Sequence, residues 1–181
     1  QTPALFVMGT NEGIHSLLRR HVRLPEVQIT LRPEHMAAVA STYRVSDDRR
    51  MWRMAVDRQA FQPVSAPVVR MHASNLDALN ALYAWGGPGY FAGYQLEQGV
   101  YYAVEHNGAF VAAAGTHVVA PTYGIAVLGN IYTHPDHRNR GYATACTSAV
   151  VADLLDTGCR SVALNVRQDN APAVRAYSRL G

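Results

Sequence analysis

The chain has 181 residues, 49% of them apolar, with 16 basic against 13 acidic side chains, a formal charge of +3 and a pI near 9.0. That is room for one packed domain, or one domain and a smaller partial one, and it excludes a disordered or fibrous chain. No apolar run approaches the ~20 residues that span a bilayer. The pairs Arg19-Arg20 and Arg49-Arg50 are too short, and too poor in interleaved aromatics, to make a nucleic-acid stripe. Neither a membrane nor a nucleic acid is therefore an expected partner. The chain begins at Gln1 rather than Met, as a fragment or trimmed product does, and no secretion signal stands at its start. Cys146 and Cys159 read as buried or half-buried thiols of a reducing compartment, so a cytoplasmic protein is expected.

In chain order, residues 4–8 form a short apolar run that suits a strand. Residues 11–22 carry Ile14, Leu17 and Leu18 at helical spacing, and residues 27–31 alternate like a strand. Pro33 opens a helix supported by Met36, Val39 and Ala40. Residues 47–61 mix Met51, Met54, Ala55 and Phe61 with Arg and Asp, an amphipathic stretch. Residues 1–62 thus read as strand, helix, strand, helix. The Pro/Ser/Ala punctuation at 63–67 marks a boundary, giving an N-terminal α/β segment over 1–65 and a core over 66–181.

Past the boundary, residues 68–71 suit a short strand. Ser74-x-x-Asp77 has the form of a capping box, with Asp for Glu, opening a helix through Tyr83. A Gly/Pro-rich loop follows at 85–89, then a short helical stretch at about 90–97. Two apolar runs, 100–105 and 110–119, flank Asn107-Gly108, whose tolerance of positive φ suits a type I′ hairpin. Residues 125–133 form a third strand, 143–155 a helix, 161–166 a buried strand. A last helix starts at Asn170-Ala171-Pro172 and carries Ala173, Ala176, Tyr177 and Leu180 on one side.

The most informative stretch is 131–143, where a strand ends in a loop with Arg138, Arg140 and Gly141 and a helix begins at once. First-turn amides of a helix lack partners and sit at the positive end of its dipole. Gly141 has no Cβ to block close approach, so the loop can hold a pyrophosphate on its amides. His134-Pro-Asp-His137 reads as a surface turn; no third or fourth ligand is near, so no metal site is expected.

Arg138-x-x-Gly141-x-Ala143 resembles the Arg/Gln-x-x-Gly-x-Gly/Ala signature of the GNAT superfamily, the acyl-CoA-dependent N-acyltransferases. Asn170 followed by Ala171 and Tyr177-x-x-x-Gly181 resembles the family's second cofactor-binding motif. The resemblance covers about residues 66–181. It implies an α+β fold of the GNAT type, a mixed, mostly antiparallel central sheet with helices on both faces. The N-terminal third would then be a partial, degenerate copy of the same fold. The family's fold runs on past the equivalent of Gly181 with an aromatic residue and one or two strands. The alternatives are a truncated chain, disorder, or a strand from residues 1–31 covering that sheet edge.

The resemblance further implies acetyl-CoA as cosubstrate, lying where the 125–133 strand and the next one splay apart. Its pantetheine arm would pair with main-chain groups of Ile131, Tyr132 and Thr133. Its pyrophosphate would take amides of Asn139, Arg140, Gly141, Tyr142, Ala143 and Thr144, with charge from Arg138 and Arg140. Asn170 would bond the pantetheine or a phosphate. Tyr177 is the expected general acid, protonating the departing thiolate, with a core tyrosine as the alternative. Some family members carry a Glu base on the strand at 125–132; here there is no carboxylate, and Val127, Gly129 and Asn130 take those positions. His117 and Glu105 are the candidate bases, with a water chain as the alternative, and Asn130 would orient a substrate carbonyl or amide. The acceptor wall would be the aromatic-rich 85–94 segment, with Trp85, Tyr90, Phe91 and Tyr94.

The function so implied is transfer of an acetyl group from acetyl-CoA to an unidentified primary amine by direct attack in a ternary complex. A non-catalytic acyl-CoA sensor, an interaction protein with an empty loop, and homodimerisation stay open.

Overall fold

The computed structural model describes residues 2–87 and 91–181. The chain divides into two compact units, Gln1–Arg49 and Arg50–Gly181. In the first, β1 (Ala4–Phe6) and β2 (Gln28–Thr30) pair in parallel across α1 (Asn11–His21). Thr10 caps α1, its Oγ1 accepting from the Gly13 amide at 3.1 Å. A 3-10 turn at Pro33–His35 leads into α2 (Met36–Ala40), and Ile14, Leu18, Ala38 and Val39 close a small core.

The second unit contains β3 (Met51–Asp57), β4 (Val69–Arg70), α3 (Leu76–Tyr83), α4 (Gly93–Gln98), β5 (Tyr102–His106) and β6 (Ala109–Ala120). It continues with β7 (Ile125–Thr133), α5 (Tyr142–Asp156), β8 (Ser161–Arg167) and α6 (Ala171–Ser178). The strands form one six-stranded sheet in the order β3-β8-β7-β6-β5-β4. Every neighbouring pair is antiparallel except β7 and β8, which run parallel because α5 carries the chain back between them. Asn107 and Gly108, at φ 51° and 76°, make the primed turn of the β5–β6 hairpin.

Alternation along the strands sends side chains to two cores. Ala112, Ala114, Leu128, Val162 and Leu164 meet Cys146, Val150 and Leu154 of α5, with Val174 and Tyr177 of α6 against them. On the other face Tyr101, Ala103 and Ala113 meet Leu79 and Leu82 of α3 and Leu96 of α4. Helices therefore cover both faces, as an α+β sandwich of the expected kind.

Three expectations are corrected. Residues 51–57 are a strand, not part of a helix: β3 pairs with the whole of β8, Met51 opposite Arg167 and Asp57 opposite Ser161. It is this strand, not one from 1–31, that covers the β8 edge. The expected boundary at 65/66 falls inside the second compact unit, which begins at Arg50. β3 and β4 lie at opposite edges of the sheet. Residues 58–68 are therefore a strap across the unit, tied by Arg58 to Asp156 at 2.8 Å, by the Val64 amide to Ser148 Oγ at 2.8 Å and by the Gln62 amide to Leu180 O at 2.9 Å. Finally, α3 is entered through a 3-10 turn at Ala73–Asn75, where Asn75 Oδ1 accepts from the His72 amide, so Ser74 is not its cap. Of the 85–89 loop and the 90–97 stretch, residues 88–90 lie outside the described residues.

Candidate functional site

The site begins where β7 and β8 part. Their pairing ends at Val127–Ala163, although β7 runs on to Thr133 and β8 to Arg167. Two bulges shape β7 and its other neighbour. Opposite Ala113 and Gly115 of β6, β7 carries an extra residue between Gly129 and Tyr132; opposite Val127 and Leu128, β6 carries His117 as its extra residue. Asn130, at φ 53°, is the turning point of the first bulge. Its carbonyl accepts from Tyr83 Oη at 2.7 Å, and its Nδ2 donates to Tyr101 Oη at 2.8 Å, which in turn donates to Thr116 O at 2.9 Å. Burial raises the pKa of Tyr83 and pushes Tyr101 up to about 12, so both phenols stay protonated donors. Asn130 is itself buried, so its side chain holds the bulge rather than reaching outward.

β7 leads through a 3-10 turn, Pro135–His137, into the loop of Arg138, Asn139, Arg140 and Gly141. Asn139 and Gly141 take left-handed φ values of 59° and 79°, which turn the intervening amides toward one side. Gly141 is the N-cap of α5 and offers no side-chain cap, so the amides of Tyr142, Ala143 and Thr144 keep no intrahelical partner. A Cβ at Gly141 would meet nothing within 4 Å, so the space above the loop is open. Arg138 and Arg140 bond weakly to Thr133 O and Asp136 O, both at 3.3 Å, with their exposed guanidinium groups beside the loop. At the end of β7, Thr133 Oγ1 is buried without a partner. A diphosphate followed by an amide-bearing arm fits this set: open amides, two guanidinium groups and an orphaned hydroxyl beside unpaired strand edge. Ile131 and Tyr132 stand on that edge, Ile131 against the α5 core and Tyr132 bonded to Trp85 O at 2.5 Å. Asn170 caps α6 through Oδ1, which accepts from the Ala173 amide at 3.3 Å.

Tyr177 reaches back from α6 toward the parting strands. It lines a cavity of about 40 Å³ with Leu128, Ala163 and Thr147, and burial pushes its phenol up to about 12. His117 stands on the opposite face. Gly129 pairs with Gly115, which packs on Tyr101 of the α3–α4 side, whereas Leu128 belongs to the α5 side. The imidazole lies directly on Gly129: a Cβ there would come within 1.9 Å of Nε2. That contact strips solvent from the ring and lowers its pKa, although the residue as a whole stays exposed. Tyr177 and His117 thus flank the gap from its two sides. Glu105 is not brought to it: it pairs with Phe110 by the hairpin turn, and the seven residues of β6 from there to His117 span about 23 Å.

Of the expected acceptor wall, Phe91 packs inside against Tyr83 and Tyr101, at ring separations of 5.2 and 5.6 Å. Trp85 and Tyr94 are exposed, and Tyr90 lies outside the described residues. His134 and His137 meet edge to face at 5.6 Å, with His106 5.1 Å from His137 and Trp85 4.6 Å from His134. Desolvation, then Arg140 and the two neighbouring imidazoles, lower the His137 pKa. Among the described residues no group of three or more ligating side chains is arranged for a metal ion. Both cysteines are free and buried, and burial raises both thiols, Cys146 to about 12.

A sheet opened between two parallel strands, with open helix-terminus amides at one end of the gap and a buried phenol at the other, is the architecture of the N-acyltransferase fold class. Residues 70–181 match the acetyltransferase (GNAT) family, and the chain belongs to it. Mycothiol acetyltransferase of Actinosynnema mirum is 44% identical over 57 residues, 30% of this chain and 19% of that protein. The ribosomal protein bS18-alanine N-acetyltransferase of Escherichia coli K12 is 33% identical over 91 residues, 50% of this chain and 60% of that protein. This chain thus spans a fifth to three fifths of these relatives. The crystal structure of the Escherichia coli ribosomal-protein-S18-alanine enzyme superposes with a TM-score of 0.53 at 25% identity, over 64% of this chain and 76% of that one. A GCN5-related N-acetyltransferase-like protein of Streptococcus suis shares the fold over 100% of this chain and 76% of its own, with a TM-score of 0.65 at 15% identity.

Proposed function

We propose that this protein transfers an acyl group from acyl-CoA, acetyl-CoA in the first instance, to a primary amine by direct attack within a ternary complex. The observation that carries the reading is the β7–β8 gap, open from Val127 onward, with the loop of Arg138–Gly141 at its far end and Tyr177 at its near end. Asn139 to Thr144 offer amides to the pyrophosphate, and the free edge at Ile131–Thr133 offers main-chain groups to the pantetheine. Bound there, the cosubstrate supplies an activated thioester. An attacking amine must shed a proton, because an ammonium has no lone pair; His117 is the base. Its lowered pKa keeps it neutral at pH 7, able to accept. Tyr177 is the acid for the leaving sulfur, its raised pKa keeping the proton on oxygen until it is needed. Base and acid on opposite faces of the gap let amine and thiol exchange protons with different groups.

The acceptor is an amine on a small molecule or at a peptide N-terminus. The relatives support this range, one named for mycothiol and one for an alanine of a ribosomal protein. Calorimetric titration with acetyl-CoA, followed by thiol-release assays over small-molecule primary amines and Ala-initiated peptides, tests the reading. The chain has no lysine, so self-acylation of a lysine side chain cannot release CoA, and a reaction without amine measures the remaining background. Binding with no turnover over the whole panel favours a sensor; no binding at all overturns the reading.

A further inference from the structure

The cavity beneath Tyr177 is larger than an acetyl group needs, and its walls are apolar. Leu128 stands one residue before Gly129 at the gap, and Ala163 is the last β8 residue paired with β7, so the cavity adjoins the place where the thioester would lie. Val151 of α5 closes it, with Leu180 and Gly181 just beyond α6 and Met54 of β3. None of the lining residues is charged, and Thr147, whose buried Oγ1 has no partner, is the only polar side chain beside Tyr177. The volume is about 40 Å³, whereas one water-sized group occupies roughly 10–15 Å³ on this measure. Room for about three carbon-sized groups follows: the methyl of an acetyl and about two more.

We propose that this cavity is an acyl-chain pocket and that the protein takes three- and four-carbon acyl-CoA thioesters in preference to acetyl-CoA. The inference rests on the acyl-CoA reading above and names its donor. The chemistry of the walls selects the ligand: an unbranched hydrocarbon tail gains by leaving water for such a surface, whereas a charged or polyhydroxylated acyl group finds nothing to pair with. Depth is set by β3, which lies outside residues 70–181 that match the family, so chain length is read by a strand the family core does not include. Met54, half-buried on that edge strand and opposite Leu164, is the residue positioned to limit it.

The test is calorimetric affinity of the full chain for free CoA and for acetyl-, propionyl-, butyryl- and hexanoyl-CoA, which needs no acceptor. Each buried methylene is expected to tighten binding about fourfold. Butyryl-CoA should therefore bind about 15-fold tighter than acetyl-CoA, and hexanoyl-CoA, too long for the space, should fall back. In Met54→Phe the gain from acetyl to butyryl should vanish. In Met54→Ala the optimum should move to the longer chain. Each is read as a ratio to that variant's own affinity for free CoA, so a general loss of folding cannot imitate either. Equal affinity for all thioesters, or unchanged ratios in both variants, overturns the pocket and leaves the acyl-CoA reading standing. Absence of binding by free CoA and every thioester overturns both.

Discussion

Gly129→Ala separates a catalytic role for His117 from a decorative one. The added methyl carbon would sit 1.9 Å from Nε2, 2.0 Å from Cδ2 and 2.4 Å from Cε1 of the imidazole. Ordinary contact begins near 3.4 Å, so the ring must withdraw by roughly 1.5 Å, more than the ~1 Å misplacement that costs about 10²-fold in a positioned reaction. The backbone does not object, since Gly129 is not among the positive-φ glycines and alanine suits an extended strand at least as well. We therefore expect kcat/KM to fall about 10²-fold at pH 7.5 in a thiol-release assay with the best amine of the panel, while thermal midpoint and CoA affinity stay near wild type. His117→Ala should fall by about 10²- to 10⁴-fold, the span of general-base contributions. The double variant should be no worse than His117→Ala, because both changes remove one function. The wild-type profile should lose activity on the acid side as the imidazole protonates, at a pKa below the usual 6.5 or so, and His117→Ala should lack that limb. An acid limb that survives in His117→Ala, or a Gly129→Ala variant as active as wild type, refutes the assignment.

Tyr177→Phe keeps the ring in its wall and removes the proton. We expect kcat to fall about 10²-fold with the acid limb of the pH profile retained, and wild type to show no alkaline limb from this phenol below about pH 10, since its pKa is pushed up to about 12. Gly141→Trp places a side chain over the open loop at φ 79°; acetyl-CoA affinity should drop about 10- to 100-fold by calorimetry, the weight of one charge-assisted hydrogen bond to phosphate. Thr147→Val replaces a buried hydroxyl that lacks a partner with an isosteric methyl; stability should rise by about 1 kcal/mol and the thermal midpoint by ~2–4 °C. Removing residues 1–49 should leave a soluble chain, whereas removing 1–62 should give insoluble protein, because it bares the β8 edge; sedimentation of the two products distinguishes them.

The core was readable wherever one local signal dominated. Asn107-Gly108 announced its hairpin, and the loop of Arg138–Gly141 declared itself between a strand and an apolar helix, because positive φ and open amides are demands that few residue types meet. Residues 51–57 carried two signals at once. Met51, Met54 and Ala55 sit at helical spacing; Trp52, Met54 and Val56 alternate. Only the pairing with β8 decides between them, and that partner is more than a hundred residues away. The bulges were silent for a related reason, since an extra residue is defined by the register of two strands and not by either alone. Hence Asn130 read as a substrate ligand although Tyr83 and Tyr101 hold it within the protein, and Gly129 read as a missing carboxylate although its lack of a side chain makes the seat for His117. Glu105, the other candidate base, is kept from the gap by geometry alone: it lies on β5 opposite Phe110 at the start of β6, whereas His117 lies near the far end of β6.

β3 explains why the gap stays open. A strand with a free partner nearby tends to zip along it, and β7 and β8 both run on past their last shared pair. Yet only Ser161, Val162 and Ala163 pair with β7, while β8 pairs from Ser161 to Arg167 with β3. Closing the gap would require β8 to follow β7 beyond Val127, around a bulge at Asn130 that Tyr83 and Tyr101 clamp from the α3–α4 side. It would also require β8 to move together with β3, to which it is tied by a seven-residue ladder and by Arg53 Nε donating to Asn165 Oδ1 at 3.2 Å. The ladder with β3 fixes the course of β8 on one side, and the clamped bulge bends β7 away from that course on the other. The main-chain groups of β7 and β8 that face each other past Val127 and Ala163 are thereby left for a ligand with amides of its own. A strand outside the family-matched residues thus braces β8 and forms one wall of the cavity beside the gap. Changes in β3 should therefore tune the acyl donor without touching the loop that binds phosphate.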